Sequence, residues 1–223
     1  MNRVEIKNKA KEMYRNNKWF IWKPLLIIGL CLGLIEGIAY GLDNAFGLAK
    51  ESVIDLFGTK VTYTNSGIIS NVVGIFTGFA SAALSVGYSM YMLAFVRGEK
   101  LEMKDIIEFA KKYWVVSFLV GLLTGLAIFV GLILLVIPGI IASIGLMFYR
   151  EVCADNPMKK PTEIVKMSWN MTKGHKMDLF VMGLSFLGWL FVAGLTLGIA
   201  YIWVMPYMIV TFTLAYEELK KTA

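Results

Sequence analysis

Glu36 is the residue whose type and position most clearly suggest chemistry, because it is an acidic side chain inside the first long apolar run. Measured from Lys23, it lies roughly 20 Å along a helix. A carboxylate at that depth costs on the order of 3 kcal/mol to insert into a membrane, and such residues are functional candidates. Glu36, with Tyr40 on the same side of the helix, is therefore a candidate for coupling to a proton, a cation or a substrate. The alternative is a protonated packing residue.

Glycines recur at every fourth position in the same run, which places them on one face of a helix. Small residues let a neighbouring backbone approach closely within a membrane. We expect tight packing between spans of this chain, with a sliding or oligomerisation surface as the alternative. The glycines are Gly29, Gly33, Gly37 and Gly41 in the first run, and Gly74 and Gly78 repeat the spacing in the second.

Because Glu36 borders this stripe, we expect it to be buried and largely protonated. Its partner should be a Ser, Thr, Tyr or backbone carbonyl of another span. The second apolar run offers Ser81, Ser85 and Tyr88 as candidates.

Two further groups of polar residues flank the apolar runs. The first is an inner polar cluster of Arg97, Arg150 and Glu217, whose side chains either pair with one another or snorkel to the membrane surface. The second surrounds the lone histidine, where lysines beside an aromatic ring suit an anionic lipid headgroup. The alternative for this second group is a solvated loop. Its residues are Trp169, Lys173, His175 and Lys176.

Several kinds of chemistry have no signature in the sequence. Cys31 and Cys153 are isolated, and one histidine cannot make a metal site. There is no phosphate-binding loop, nucleophile elbow or paired acid and base. We therefore expect no metal, no cofactor and no enzymatic activity. The excess positive charge alternates with apolar runs and forms no nucleic-acid motif, so it indicates membrane topology rather than nucleic-acid binding.

Composition predicts an all-α integral membrane protein, since 57% of the residues are hydrophobic, 17% are charged and the mean hydropathy is +0.65. We predict a single transmembrane domain over residues 1–223, with six helices arranged as three hairpins and with interfacial amphipathic helices. The turn at Ile137-Pro138-Gly139 separates the third and fourth spans, and Gly198 separates the last two. The predicted spans are Trp19–Leu42, Ile68–Val96, Trp114–Val136, Pro138–Ala154, Leu179–Leu197 and Gly198–Tyr216.

The distribution of positive charge predicts that both chain ends are cytoplasmic. Of the 22 Lys and Arg residues, only Lys50 and Lys60 fall in the predicted external loop, residues 43–66. Within that loop, Thr59–Asn65 suggests a turn or short strand, and Ala45–Phe57 suggests a short helix on the membrane. Each hairpin follows an amphipathic stretch that ends in an aromatic residue, which suggests three copies of one repeated unit.

The carboxyl-terminal third carries a distinctive pattern in the segments Ser168–Phe180, Leu184–Trp189, Leu195–Ile199 and Trp203–Tyr207. In these segments the sequence resembles the uncharacterised bacterial membrane proteins grouped as DUF975, and more distantly the membrane domain found beside glycerophosphodiester phosphodiesterases. The amino-terminal stretch Ala10–Trp19 is also similar to theirs. The resemblance implies a multi-span helical fold in a bacterial cytoplasmic membrane and brings no catalytic residues.

Three hypotheses for function follow. The first is a non-enzymatic protein that binds or transports a lipid or other amphiphile, or is accessory to such a transporter. The second is a structural or protective subunit whose partners are other membrane proteins or a second copy of itself. The third and weakest is a lipid-modifying enzyme.

Site-directed labelling from the two sides of the membrane tests the predicted topology. We expect reagents outside the cell to reach a cysteine at position 60 but not at positions 104, 166 or 220, because positive loops stay inside. External labelling at position 166 would contradict the hairpin between residues 114 and 154.

Overall fold

The computed structural model describes residues 2–56 and 59–221, which are largely helical. Within the two strands, most residues are described by their backbone alone. The elements in chain order are α1 (Arg3–Asn16), α2 (Lys18–Ala45), β1 (Lys50–Leu56), β2 (Thr59–Asn65), α3 (Ile68–Arg97), α4 (Met103–Leu134), α5 (Val136–Gly145), α6 (Tyr149–Asp155), α7 (Pro161–Met171), α8 (Lys176–Leu195) and α9 (Tyr201–Lys220).

Five helical segments of the described chain are long and apolar enough to cross a membrane. They are α2, α3, α4, the segment Val136–Asp155 that joins α5 to α6, and α8. Helix α9, the predicted sixth span, is as long as α8 but is not among them, since Glu217, Glu218 and Lys220 interrupt its apolar character.

The chain divides into two compact units. One comprises residues 1–22 and 82–223, and the other comprises residues 23–81. In the first unit, α4 packs against α5, α6 and α7, while α9 packs against α1 and α8. In the second unit, β1 and β2 pair as an antiparallel hairpin. The prediction of one domain over residues 1–223 stays a prediction, as does the threefold repeat.

The strands correct one prediction about the loop after the first span. Residues 50–56 form β1, so the short helix predicted over 45–57 is wrong in this part. The predicted strand at 59–65 is confirmed as β2. Because its register aligns Lys50 with Asn65 and Leu56 with Thr59, the backbone polar groups of this loop bond to each other.

Helices α4 and α5 meet through two glycines. A Cβ atom on Gly131 would lie 3.1 Å from the Cα of Gly139, so the backbones approach closely. The break between the helices falls at Leu135, which is extended, and not at Ile137–Gly139 as predicted. Pro138 lies instead in the first turn of α5, where its missing N–H group leaves no helical bond unmade.

Two other breaks fall where the sequence predicts them. Tyr113 has non-helical dihedral angles inside α4, one residue before the predicted start of the third span. Gly198 lies in the turn between the end of α8 at Leu195 and the start of α9 at Tyr201. Its φ of +89° is a left-handed conformation that favours glycine, and its N–H donates to the carbonyl of Ala193 at 2.7 Å.

Helix α1 buries one face in the first unit, with Ile6 and Ala10 fully or nearly enclosed. On an adjoining face, Lys7 Nζ donates to Ser185 Oγ of α8 at 2.8 Å and lies 4.6 Å from the centre of the Phe186 ring. Burial there lowers the pKa of Lys7. The amphipathic character of α1 is therefore used, at least in part, for packing on protein.

In the second unit, Asp43 near the end of α2 caps the start of α3. Its carboxylate accepts hydrogen bonds from the N–H of Ile69 at 3.1 Å, the N–H of Ser70 at 2.7 Å and the Ser70 hydroxyl. These bonds satisfy amide groups that a helix start leaves without partners. Gly67 makes room for the cap, because a Cβ atom there would overlap the Asp43 carboxylate.

We predict that Gly67→Ala lowers the stability of the folded protein by about 1–2 kcal/mol, the usual value of a helix cap. Thermal unfolding of the detergent-solubilised chain, followed by circular dichroism, measures the change. The control is Gly41→Ala, because a Cβ atom at Gly41 meets no heavy atom within 4 Å. An equal loss in both variants would contradict the assignment.

Candidate functional site

Glu36 accepts a hydrogen bond from the hydroxyl of Thr77 at 2.6 Å, so the predicted class of partner, a hydroxyl of the second apolar run, is confirmed. The candidates named beforehand do not match it: Ser85 donates to the carbonyl of Ala82, and Tyr88 donates to that of Ile21. The prediction that Glu36 is buried is not met within its own unit, residues 23–81. Thr77 is buried, but Glu36 and Tyr40 are exposed.

The glycine stripe beside it is also uncovered within the unit of residues 23–81. A Cβ atom built on any of its glycines meets no heavy atom within 4 Å. The prediction that the stripe packs tightly against another span of this chain is not met within this unit and otherwise stays a prediction. The alternative, a surface for association, stays a prediction. These glycines are Gly29, Gly33, Gly37, Gly41, Gly74 and Gly78.

The predicted inner polar cluster exists, with one change of membership. Arg97 at the end of α3 pairs with Glu217 of α9, as the sequence predicts, with Nη2 to Oε1 at 2.7 Å. The same Nη2 atom also lies 2.7 Å from Asp155 Oδ2 on α6. Asp155 Oδ2 further accepts from the hydroxyl of Tyr216 at 2.8 Å and from Lys220 Nζ at 2.6 Å.

Arg150 does not join this cluster. Its Nε donates to the hydroxyl of Tyr149 at 2.9 Å, and its guanidinium lies 5.2 Å from the centre of the same ring. The acid that completes the cluster is Asp155, which the sequence reasoning missed. The sequence contains a signal for Asp155, because this acidic residue lies at the basic end of an apolar run, as Glu217 does, and it could have been predicted as a member of the cluster on the same ground.

The basic and aromatic residues around the turn from α7 to α8 form a second site, here called the basic turn and defined by Trp169, Lys173, His175 and Lys176. Lys176 Nζ lies 3.2 Å from the centre of the Trp169 ring, a cation–π contact. Gly145 at the end of α5 permits this arrangement, since a Cβ atom there would overlap Trp169. The Gly145 carbonyl also accepts from the Thr172 hydroxyl at 3.1 Å.

The remaining two residues of the basic turn differ in setting. Lys173 is exposed, next to Gly174 with φ +80°. His175 Nδ1 is 3.7 Å from Asp178 Oδ2, and Arg3 Nε is 3.6 Å from the other oxygen of the same carboxylate. Arg3 thus offsets the negative charge of Asp178 close to the lysines.

An apolar cleft begins one turn along α8 from the basic turn. Its volume is about 300 Å³, and it lies among α5, α8 and α9. Ile144 of its wall is next to Gly145, so the cleft adjoins the Trp169–Lys176 pair. Glu36 lies outside this cleft. The lining residues include Ile144, Met147, Phe180, Leu184, Leu187 and Phe212.

The described residues contain no group of three or more His, Cys, Asp or Glu side chains able to hold a metal ion. A largely helical chain with five segments long and apolar enough to cross a bilayer is consistent with a multi-pass membrane protein. Within that class, residues 126–223 match the family model DUF975, described as a protein of unknown function, so this part of the chain is similar to the family that its sequence resembles. No curated protein and no solved structure matches the chain.

The matched region contains the basic turn, the apolar cleft and the Asp155 end of the inner cluster. Glu36 and the glycine stripe lie outside it. The similarity of residues 10–19 to the family stays a prediction.

We predict that Asp155→Ala destabilises the fold by about 1–3 kcal/mol, because it removes the hydrogen bonds that Arg97, Tyr216 and Lys220 donate to this carboxylate in a partly exposed site. Thermal unfolding in detergent measures the loss. Glu163→Ala is the control, since Glu163 is exposed on α7 and its removal should change stability by no more than about 0.5 kcal/mol. Similar midpoints for the two variants would contradict a structural role for the cluster.

Proposed function

We propose that this chain is a non-enzymatic, multi-pass membrane protein that binds an anionic lipid or a similar amphiphile, as a transporter or as accessory to one. The binding site is the basic turn together with the apolar cleft. The lysines hold the anionic headgroup, and the cleft takes part of an acyl chain.

The observation that carries the proposal is the adjacency of these two chemistries. Lys176 stacks on Trp169 against Gly145, and the cleft begins at Ile144. An amphiphile needs a charged contact and an apolar contact at this kind of spacing, with the aromatic ring at the headgroup level. Anionic headgroups gain about 1 kcal/mol for each nearby Lys or Arg.

The proposed topology has six spans, with α9 as the sixth and with both chain ends in the cytoplasm. The charge distribution supports this, since all but two Lys and Arg residues then lie inside. In this arrangement the basic turn faces the inner leaflet of a bacterial cytoplasmic membrane, where anionic lipids are available to it.

A second candidate function is association with another membrane protein or a second copy through the glycine stripe. The specific observation in its favour is that the stripe is uncovered within the unit of residues 23–81, because small residues on a lipid-facing helix permit close helix contacts. On this alternative, Gly33→Leu would disrupt the assembly, whereas changes in the basic turn would not.

The test is lipid binding by native mass spectrometry, comparing phosphatidylglycerol with phosphatidylcholine of the same acyl chains. We expect Lys173→Gln and Lys176→Gln each to weaken phosphatidylglycerol binding about fivefold, with little effect on phosphatidylcholine. The control is Lys166→Gln, an exposed lysine on α7 outside the site.

A third variant tests the apolar part of the site. Leu184→Trp should fill the cleft and weaken binding of both lipids equally, because it acts on the acyl chain. The proposal would be contradicted if every variant bound both lipids as the wild type does.

A further inference from the structure

Glu151 is a buried acid that none of the contacts above explains. It lies in the first turn of α6, and its Oε2 atom is buried without a hydrogen-bond partner among the described residues. The residue as a whole is partly exposed, so the burial concerns the end of the side chain. A carboxylate oxygen that lacks a donor loses its hydration without compensation, whereas the neutral acid loses far less.

The positive charges of the inner cluster, one turn further along α6, are already paired with carboxylates other than that of Glu151. Asp155 is four residues away and thus on the same face of the helix. Its carboxylate faces Arg97 and Lys220, and Arg97 also pairs with Glu217. Two cations and two carboxylates therefore balance in the described cluster. An ionised Glu151 would add an uncompensated negative charge beside it.

The nearest other cation is the neighbouring residue, Arg150, and its guanidinium is held by the ring and hydroxyl of Tyr149. The other charged groups on the helix of Glu151 are thus Arg150 and Asp155. The elements that contact Asp155 contribute Arg97, Tyr216, Glu217 and Lys220.

Water has a route to this cluster. A cavity of about 340 Å³ lies among α1, α3 and α9, and Arg97 and Glu217 are part of its wall. Asp155, one helical turn from Glu151, bonds Arg97 at the wall of this cavity.

We propose that Glu151 is a proton-binding site: a carboxylic acid that stays neutral while the Arg97, Asp155, Glu217 and Lys220 cluster is intact. Loss of its proton places a third negative charge beside the cluster and loosens the attachment of α6 to α3 and α9. This role is separate from the lipid site and does not require it.

The direct test uses dicyclohexylcarbodiimide, an apolar reagent that modifies protonated carboxyl groups in apolar surroundings, on the full chain in detergent. Peptide mass spectrometry locates the label. We expect modification of Glu151 at neutral and acidic pH, falling roughly tenfold for each pH unit above its titration. Exposed Glu163 is the internal control and should react far more slowly. No modification at Glu151 at any pH, or a rate equal to that of Glu163, would overturn the proposal.

A second measurement compares thermal midpoints of the wild type and Glu151→Gln across pH. The neutral acid releases its proton on unfolding, so wild-type stability should fall as the pH rises above the ordinary carboxylate range and level off once folded Glu151 ionises. The amide cannot ionise, so Glu151→Gln should gain stability relative to the wild type over that interval. Parallel curves would overturn the proposal. If the variant does not fold, labelling of the wild type decides.

Discussion

The carboxylate of Asp155 is the contact on which the arrangement of the first unit depends. One oxygen accepts from Arg97 of α3 and from Tyr216 and Lys220 of α9, so a single group joins three helices. Apolar helices in a bilayer gain little from packing on each other compared with packing on lipid, so polar contacts contribute much of their specificity. The rest of the unit is arranged around this fixed end.

That constraint separates the two candidate sites. The inner cluster immobilises α6 at Asp155, and α6 packs against α4 and α7. Helix α7 leads into the basic turn, whose position is set by Gly145 and Thr172. The proposed headgroup site is therefore built on a short turn held by packed helices, beside an apolar cleft.

Sequence reasoning predicted which residues form helices because the signals are local. Apolar runs predicted the long helices, Gly198 lies in the turn between α8 and α9, and the change in character at Tyr113 coincided with the break inside α4. Partnerships were harder to predict. Thr77, and not one of the predicted residues, donates the hydrogen bond to Glu36. Asp155, and not Arg150, completes the inner cluster. The break between α4 and α5 falls at Leu135 and not at the predicted Ile137–Gly139. Each depends on how helices distant in sequence are rotated and displaced relative to each other.

The sequence by itself determined that the chain is helical, apolar and asymmetrically charged, because composition and periodicity act within one helix at a time. It also identified the basic turn and the pairing of Arg97 with Glu217. Only the tertiary structure decided that the glycine stripe and Glu36 are exposed within the unit of residues 23–81, and that the Oε2 atom of Glu151 has no hydrogen-bond partner among the described residues. Burial and pairing are properties of surfaces contributed by several helices, and no single stretch of sequence contains them.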